Sequence, residues 1–293
     1  WDDDGDGQAD CEGDCDDDDA EVYEGGKEVC GDGLDNDCSS RVDDGCALDA
    51  GMDSDFQLVG ENSYDYLGVR GAVADINGDG YDDVLTGANG YDSGSNYSDG
   101  RAYVVFGPMT GSMSAGSSDI IVTGDSSYDY LGYNLTAGGD ANGDGYEDML
   151  VSAYGDASGG SSYGGTVYLF LGPMTAGEYS ASAADAALSS DNTYDYFGQY
   201  EVGFADLDGD GSDEVYANNY YGDDNAGALT FFSAPSGSLL ASEDASTVIG
   251  GNDSYAYAGR SASSGDFNGD GNLDFAWGEP GDSLGFVING PFS

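Results

Sequence analysis

DINGDGYDD, residues 75–83, is a nine-residue acidic loop that returns as DANGDGYED at 140–148, DLDGDGSDE at 206–214 and DFNGDGNLD at 266–274. Each copy places oxygen-bearing side chains at positions 1, 3, 5 and 9 and a glycine at position 6, where the chain must turn sharply. In the first loop Asp75, Asn77 and Asp79 offer side-chain oxygens, Tyr81 its carbonyl and Asp83 a closing carboxylate. The matching sets are Asp140, Asn142, Asp144, Tyr146 and Asp148; Asp206, Asp208, Asp210, Ser212 and Glu214; and Asp266, Asn268, Asp270, Asn272 and Asp274. An EF-hand begins the same way but closes with a bidentate Glu at position 12. Here position 12 is Thr86, Val151, Ala217 or Trp277, and the flanks read as strands, so a calcium loop within a β-hairpin is expected. Oxygen-only ligands and the absence of histidine favour Ca²⁺ over zinc or copper, and a long chelating loop suits magnesium poorly.

The loop starts lie 65, 66 and 60 residues apart, a period that suits propeller blades or solenoid units. Each repeat reads as an aromatic turn, a strand, the acidic loop, a second strand, a glycine-rich connection and a third strand ending in Gly-Pro or Ala-Pro. The aromatic turns are SYDYLG at Ser63 and Ser127, TYDYFG at Thr193 and SYAYAG at Ser254. The third strands are AYVVFGP, TVYLFLGP, ALTFFSAP and GFVINGP, and an outer strand such as DIIVTG at Asp119 or STVIGG at Ser246 follows. Short runs of Val, Ile, Tyr and Phe bounded by Gly, Asp and Ser predict an all-β chain. One helical patch, Ala181 to Leu188, is expected inside it.

Of 58 acids, 19 fall within residues 1–46 and 16 in the four loops, against only five basic groups. Six filled sites would still leave the formal charge near −41 instead of −53, which disfavours a polyanionic partner such as nucleic acid. A halophile-like acidic surface is a rival source of the residual charge. No apolar run is long enough for a membrane helix. The chain opens at Trp1, which suggests a processed or truncated product of a longer precursor. Five cysteines between Cys11 and Cys46 mark a small disulfide scaffold of an oxidising compartment, with one thiol left over. The expected organisation is a Cys/Asp-rich metal-binding segment at 1–46, a linker at 47–52 and a four-repeat body at 53–293.

The loops and the phrases that bracket them (LG/GAN, LG/SAY, FG/ANN and AG/GEP) resemble FG-GAP repeats, the blades of the integrin α-subunit propeller and of bacterial surface proteins. The resemblance implies a calcium-stabilised β-propeller used for adhesion or recognition. Here it would have four FG-GAP-like blades, whereas integrin-type propellers have seven. Phe56 to Gly60 could close the ring onto Gly285 to Gly290. Alternatively it could be donated to a second molecule, building a filament, or the four blades could be part of a larger propeller. Near the amino terminus, Asp2, Asp4, Asp6, Gln8 and Asp10 form another 1-3-5-7-9 loop. GDCDDDD and CGDGLDNDCSSRVDDG resemble a Cys- and Asp-rich metal-binding repeat of bacterial surface proteins, with Asp35, Asp37, Ser39, the Arg41 carbonyl and Asp43 as a weaker ligand set. One or two sites would thus add to the four in the blades. Cys30 and Cys38 are a candidate pair, the full connectivity being open.

The YDY tyrosines either pack between blades or offer platforms for sugars, and Asn96, Asn134 and Asn252 begin glycosylation sequons. With no histidine, cysteines confined to the scaffold and Lys27 the one lysine, the usual bases and nucleophiles are missing, so no enzyme is expected. The function expected is an extracellular or cell-surface calcium-binding adhesion or recognition module with a protein or glycan ligand. The alternative is a self-associating subunit of a filament or surface layer.

Overall fold

The computed structural model describes residues 15, 16, 19, 21–23, 34–36, 38, 39, 54–94, 96–221 and 225–292. It has two compact units, 1–57 and 58–293. In the first unit Cys15 is bonded to Cys38, which overturns the Cys30–Cys38 pairing. Val22 and Asn36 are buried beside it, with Asn36 Nδ2 donating to the Glu21 carbonyl (3.2 Å) and Tyr23 N to the Asn36 carbonyl (2.9 Å). The crosslink between two acidic turns stands in for the apolar core that this composition cannot supply.

The second unit is built of sheets that follow the repeat. The first sheet holds β2 (Gly71–Ala74), β3 (Asp83–Ala88), β4 (Arg101–Val105) and an outer β6 (Ile120–Thr123). The second holds β7 (Leu135–Gly139), β8 (Asp148–Ala153), β9 (Thr166–Phe170) and β11 (Ala186–Ser189). The third holds β12 (Val202–Ala205), β13 (Glu214–Asn219), β14 (Ala228–Phe232) and β16 (Thr247–Gly250). The fourth has three strands, β17 (Ala262–Gly265), β18 (Asp274–Glu279) and β19 (Leu284–Ile288). All these pairings are antiparallel, as expected for β-branched and aromatic runs joined by short turns.

Three strands were not legible in the sequence: β5 (Gly111–Ser114), β10 (Gly177–Ser180) and β15 (Gly237–Leu240). β10 follows the Gly-Pro corner and β15 the Ala-Pro corner of one repeat, and they pair parallel with the outer strand of the repeat before, β6 and β11. β5 pairs with β1 (Phe56–Val59). The expected helix at 181–188 is instead a single 3-10 turn, Ala181–Ala183, followed by β11. Cross-strand pairing with β9 captures Ala186–Ser189, a tertiary gain that four residues of helix cannot match.

Successive sheets stack through shared apolar clusters. Val104 and Ile120 of the first meet Met149, Val151 and Tyr168 of the second. Leu150, Leu169 and Leu188 meet Val202, Val215 and Phe232 of the third, and Tyr216 and Phe231 meet Phe275 of the fourth. Each such side chain contributes about 1.5–3 kcal/mol on burial. Phe56 to Gly60 does not close onto Gly285 to Gly290: β1 bonds to β5, and β19 ends its sheet with no partner beyond β18 among the described residues. No sheet closes on itself among the described residues: the strands form four successive sheets and the β1–β5 pair.

Candidate metal centre

Every acidic loop joins the first strand of its sheet to the second, so all four sit at the same end of the antiparallel sheets. The aromatic turns and the second-to-third connections lie at the other end, tied by Gly90 N to Asp65 O, Gly155 N to Asp129 O and Tyr220 N to Asp195 O, each 3.1 Å.

Within a loop the position-1 carboxylate organises the turn. Asp75 accepts the N–H groups of Asp79 (3.0 Å) and Gly80 (2.8 Å), and Asp140 those of Asp144 (3.0 Å) and Gly145 (2.7 Å). Asp206 accepts Gly209 (2.8 Å) and Gly211 (3.1 Å), and Asp266 accepts Gly269 (2.6 Å), Asp270 (3.1 Å) and Gly271 (2.9 Å). Position 3 accepts the position-5 N–H in all four, through Asn77, Asn142, Asp208 and Asn268 at 2.8–3.0 Å. Position 5 in turn accepts the position-7 N–H of Tyr81, Tyr146, Ser212 or Asn272. Gly80 and its counterparts lie at φ near +90°, where any Cβ is strained, which explains glycine at position 6. Position 4 is left-handed too, at Gly78, Gly143, Gly209 and Gly269.

The outcome in each loop is a turn whose position-1, -3 and -5 side chains accept the loop's own N–H groups. At Asp206, Asp208 and Asp210 the carboxylate oxygens all lie within 4.8 Å of one another, a spacing that one hard cation bridges. The set fits an oxygen-seeking divalent ion. In the first unit Ser39 N donates to Asp35 Oδ1 (2.9 Å), the same position-5-to-1 turn. The rest of that set (Asp37, Arg41 and Asp43) and the loop from Asp2 through Asp4, Asp6 and Gln8 to Asp10 lie outside the described residues.

Position 9 behaves differently. Asp83, Asp148 and Asp274 are fully buried and Glu214 nearly so. One oxygen accepts the N–H of position 2: Ile76 (3.0 Å), Ala141 (2.8 Å), Leu207 (2.9 Å) or Phe267 (2.9 Å). In three loops the other accepts the glycine of the Gly-Pro corner: Gly107 (2.9 Å), Gly172 (2.8 Å) or Gly290 (3.0 Å). Those glycines leave no room for a Cβ, which would meet the position-8 carbonyl at 2.5, 2.4 or 2.1 Å. Burial pushes the Asp148 carboxyl up to about 6 and raises Asp83 and Glu214 as well, whereas the N–H of Asn272 lowers exposed Asp270. The position-9 acid is thus a structural anchor whatever else it does.

Sequence reading gave position 8 no role, yet it links neighbouring loops. Glu147 Oε2 accepts the N–H of Asp75 (2.6 Å), and Asp213 Oδ2 accepts that of Asp140 (2.8 Å). The acid of one repeat therefore holds the position-1 residue of the loop in the repeat before. The fourth loop has Leu273 there, and the series stops. No purely local signal marks this link, because it joins residues more than 70 positions apart.

At the opposite end, tyrosines of the aromatic turns adopt left-handed backbones, for instance Tyr128 (φ 68°) and Tyr130 (φ 55°). Tyr257 stacks on Tyr220 of the repeat before (4.9 Å) and Tyr130 on Tyr154 of its own repeat (5.0 Å), while Tyr64, Tyr66, Tyr194 and Tyr255 stay exposed. Asn134 is buried, which removes its sequon from the surface, whereas Asn252 is exposed.

Comparison with known proteins places this geometry. The FG-GAP repeat model matches residues 67–105, 131–170 and 258–290, and a metal-binding motif model, Cu-binding_MopE, matches 14–44. The chain therefore carries three FG-GAP repeats behind a metal-binding motif. The third sheet lies outside the matched spans, although its strands and loop follow the same plan. The chain is 36% identical over 124 residues to integrin alpha-PS2 of Drosophila melanogaster (41% of this chain, 9% of that protein). It is 36% identical over 129 residues to integrin alpha-IIb of Homo sapiens (41% and 12%). It is 30% identical over 208 residues to phosphatidylinositol-glycan-specific phospholipase D of Mus musculus (68% and 24%). The chain thus spans between 9% and 24% of these relatives. No helix among the described residues is long and apolar enough to cross a membrane.

Proposed function

We propose that the chain is an extracellular, non-catalytic adhesion or recognition module whose repeats are stiffened by Ca²⁺ in the loops at 75–83, 140–148, 206–214 and 266–274. The observation that carries this reading is the shared loop geometry: side-chain oxygens of positions 1, 3 and 5 accept the loop's own N–H groups on a turn anchored by a buried position-9 acid, and at Asp206, Asp208 and Asp210 the carboxylate oxygens lie within 4.8 Å of one another. The position-7 carbonyl and a remaining position-9 lone pair would complete each ligand set. The ion's chemistry is charge neutralisation, which lets three carboxylates and amides crowd at one turn; Glu147 and Asp213 then pass that order to the repeat before. One or two further ions would occupy the amino-terminal motif. The partner is a protein or glycan at a surface, and the similarity to integrin alpha chains supports that class. The partial match to a phospholipase D covers under a quarter of that protein.

A self-assembling subunit is the second reading, and one observation favours it. The fourth sheet holds three strands and ends at β19, where Leu284, Val287 and Ile288 are exposed. β1 and β5 form a two-stranded sheet of their own. Joined between copies, they would give the five-strand order of the first two sheets.

Thermal unfolding and light scattering in calcium and in EDTA test both readings. With ions bound only by the folded chain at about 5 mM calcium and a Kd of about 10⁻⁴–10⁻³ M, each site adds about 1–2 kcal/mol. The melting temperature should then fall by roughly 10 °C or more in EDTA. An unchanged melting temperature, with no calcium by elemental analysis, rejects the metal reading. A calcium-bound particle of 30.0 kDa rejects the filament, and fibres in negative stain reject the isolated module.

A further inference from the structure

The outer strands β6 and β11 are each covered by a strand from the next repeat, and β16 is not. β10 lies parallel to β6, with Gly177 opposite Ile120 and Tyr179 opposite Val122. β15 lies parallel to β11, with Gly237 opposite Ala186 and Leu239 opposite Leu188. Each covering strand begins with a glycine N–H on the carbonyl that precedes the outer strand, Gly177 to Asp119 (2.8 Å) and Gly237 to Asp185 (2.9 Å). Its third residue packs on the apolar cluster, Tyr179 with Ile120 and Val122, Leu239 with Ala186 and Leu188. A buried alanine comes fifth, Ala181 or Ala241.

The third sheet ends at β16, with no strand beyond it among the described residues. The registers make Thr247 and Ile249 equivalent to Ile120 and Val122, and to Ala186 and Leu188. Those four are fully buried, whereas Thr247 is exposed and Ile249 half-buried. Val248 is 54% exposed where Ile121 is 3% exposed. Composition is not the cause, since Thr-Val-Ile suits a strand as well as Ile-Ile-Val does; the covering strand is what differs. Beside this edge lies a cavity of about 140 Å³ lined by Leu207, Phe231, Ile249 and Phe292, and also by Asp208 and Glu214. It continues a contact that is already made. Phe292 N donates to the Leu207 carbonyl (2.7 Å), just as Met174 N, ahead of β10, donates to the Ile76 carbonyl (2.8 Å) in the first repeat.

We propose that the open edge of β16 takes an extended segment of a partner protein as a parallel fifth strand, its main chain pairing with Thr247–Gly250 and a leucine or tyrosine entering the cavity. The covered repeats define the chemistry of that segment: glycine first, a large apolar residue third and alanine fifth. Asp208 and Glu214 at the cavity, within a chain of formal charge −53, select flanks that are neutral or basic. Main-chain pairing supplies the attraction and the cavity the selectivity. The proposal goes beyond the recognition reading, and its edge is distinct from β19, which belongs to the fourth sheet.

Hydrogen exchange of the 293-residue chain in calcium, with and without a capped SGSLLAS peptide (the sequence of residues 236–242), tests this. Exchange within Thr247–Gly250 should slow about tenfold, the protection that about 1 mM peptide gives at a Kd of about 10⁻⁴ M. A peptide with aspartate in place of its first leucine should leave exchange unchanged. Extending the chain after Phe292 by TAGEYSAS, the sequence of residues 175–182, should protect Thr247–Gly250 without peptide, raise the melting temperature and abolish the peptide's effect. No protection by SGSLLAS, equal protection by the aspartate peptide, or protection at β19 in place of β16 overturns the proposal. An extended chain that still gains protection from the peptide overturns it as well. So does protection of β16 without peptide that grows with protein concentration, which marks a second copy as the occupant. The melting temperature in EDTA separates the two readings: a peptide that fails while calcium still stabilises the chain strikes this edge alone and leaves the module standing.

Discussion

Asp144 and Asp148 are both acids of one loop, yet they answer to different forces. Asp144 is exposed and its oxygens face the turn, so Asp144→Asn should be nearly silent in EDTA and should remove about 1–2 kcal/mol of calcium stabilisation. Asp148 is buried and holds the N–H groups of Ala141 and Gly172, so Asp148→Ala should cost about 2–4 kcal/mol in both buffers, by urea unfolding. Equal losses in EDTA would mean that the two positions share one role. Asp129 is a third kind of acid. Burial first, and then Asp156, pushes its carboxyl up to about 7. The folded chain therefore holds that proton to a higher pH than the unfolded chain, and this group's contribution declines as pH rises from about 4 to about 7. Asp129→Asn should be more stable than the parent at pH 8 by roughly 1–3 kcal/mol, with the gap closing near pH 4 at constant calcium. A gap independent of pH would show that the carboxyl is not held neutral. The spacing of the oxygen-bearing loop positions was legible in the sequence. The split between exposed ligand and buried anchor was not, because it depends on Gly107, Gly172 and Gly290 arriving from a strand 24 or 16 residues away.

A loop and its neighbour form the next unit. Glu147 belongs to the second loop but caps the position-1 residue of the first loop, so stiffening one orders the other. Glu147→Leu, which copies the fourth loop's Leu273, should cost about 1–2 kcal/mol and speed hydrogen exchange of the Asp75 amide, while Glu147→Gln keeps an acceptor and most of the effect. Unaltered exchange at Asp75 in the leucine variant would show that the contact carries no order. The strands that sequence reading found were those rich in Val, Ile, Tyr and Phe, whether buried as in β8 and β9 or largely exposed as in β16 and β19. β5, β10 and β15 escaped it because they are rich in glycine and serine. Their partner is an outer strand one repeat earlier, and only that pairing makes them strands. The helical reading of 181–188 failed because β9 claims its end, from Ala186 to Leu188.

Across the whole molecule, repetition is the dominant fact. Each sheet buries its apolar face on the next, and the tight turns at either end separate a metal-loop end from an aromatic end. The same repetition makes departures readable: Thr247 and Val248 stand out because Ile120 and Ile121 are buried at the same register in the first sheet. By itself the sequence determined the all-β class, the four in-phase loops, the strand order within a repeat and the oxygen-rich ligand set, because period, residue type and turn chemistry act over a few residues. Only the tertiary structure decided that Cys15 pairs with Cys38, that β1 bonds to β5 and leaves β19 at an edge, that position 8 ties neighbouring loops, and that β16 has no covering strand among the described residues. Each of these depends on residues brought together from distant parts of the chain, and their pairing is set by which surfaces the stacked sheets can bury and which polar groups must then be satisfied.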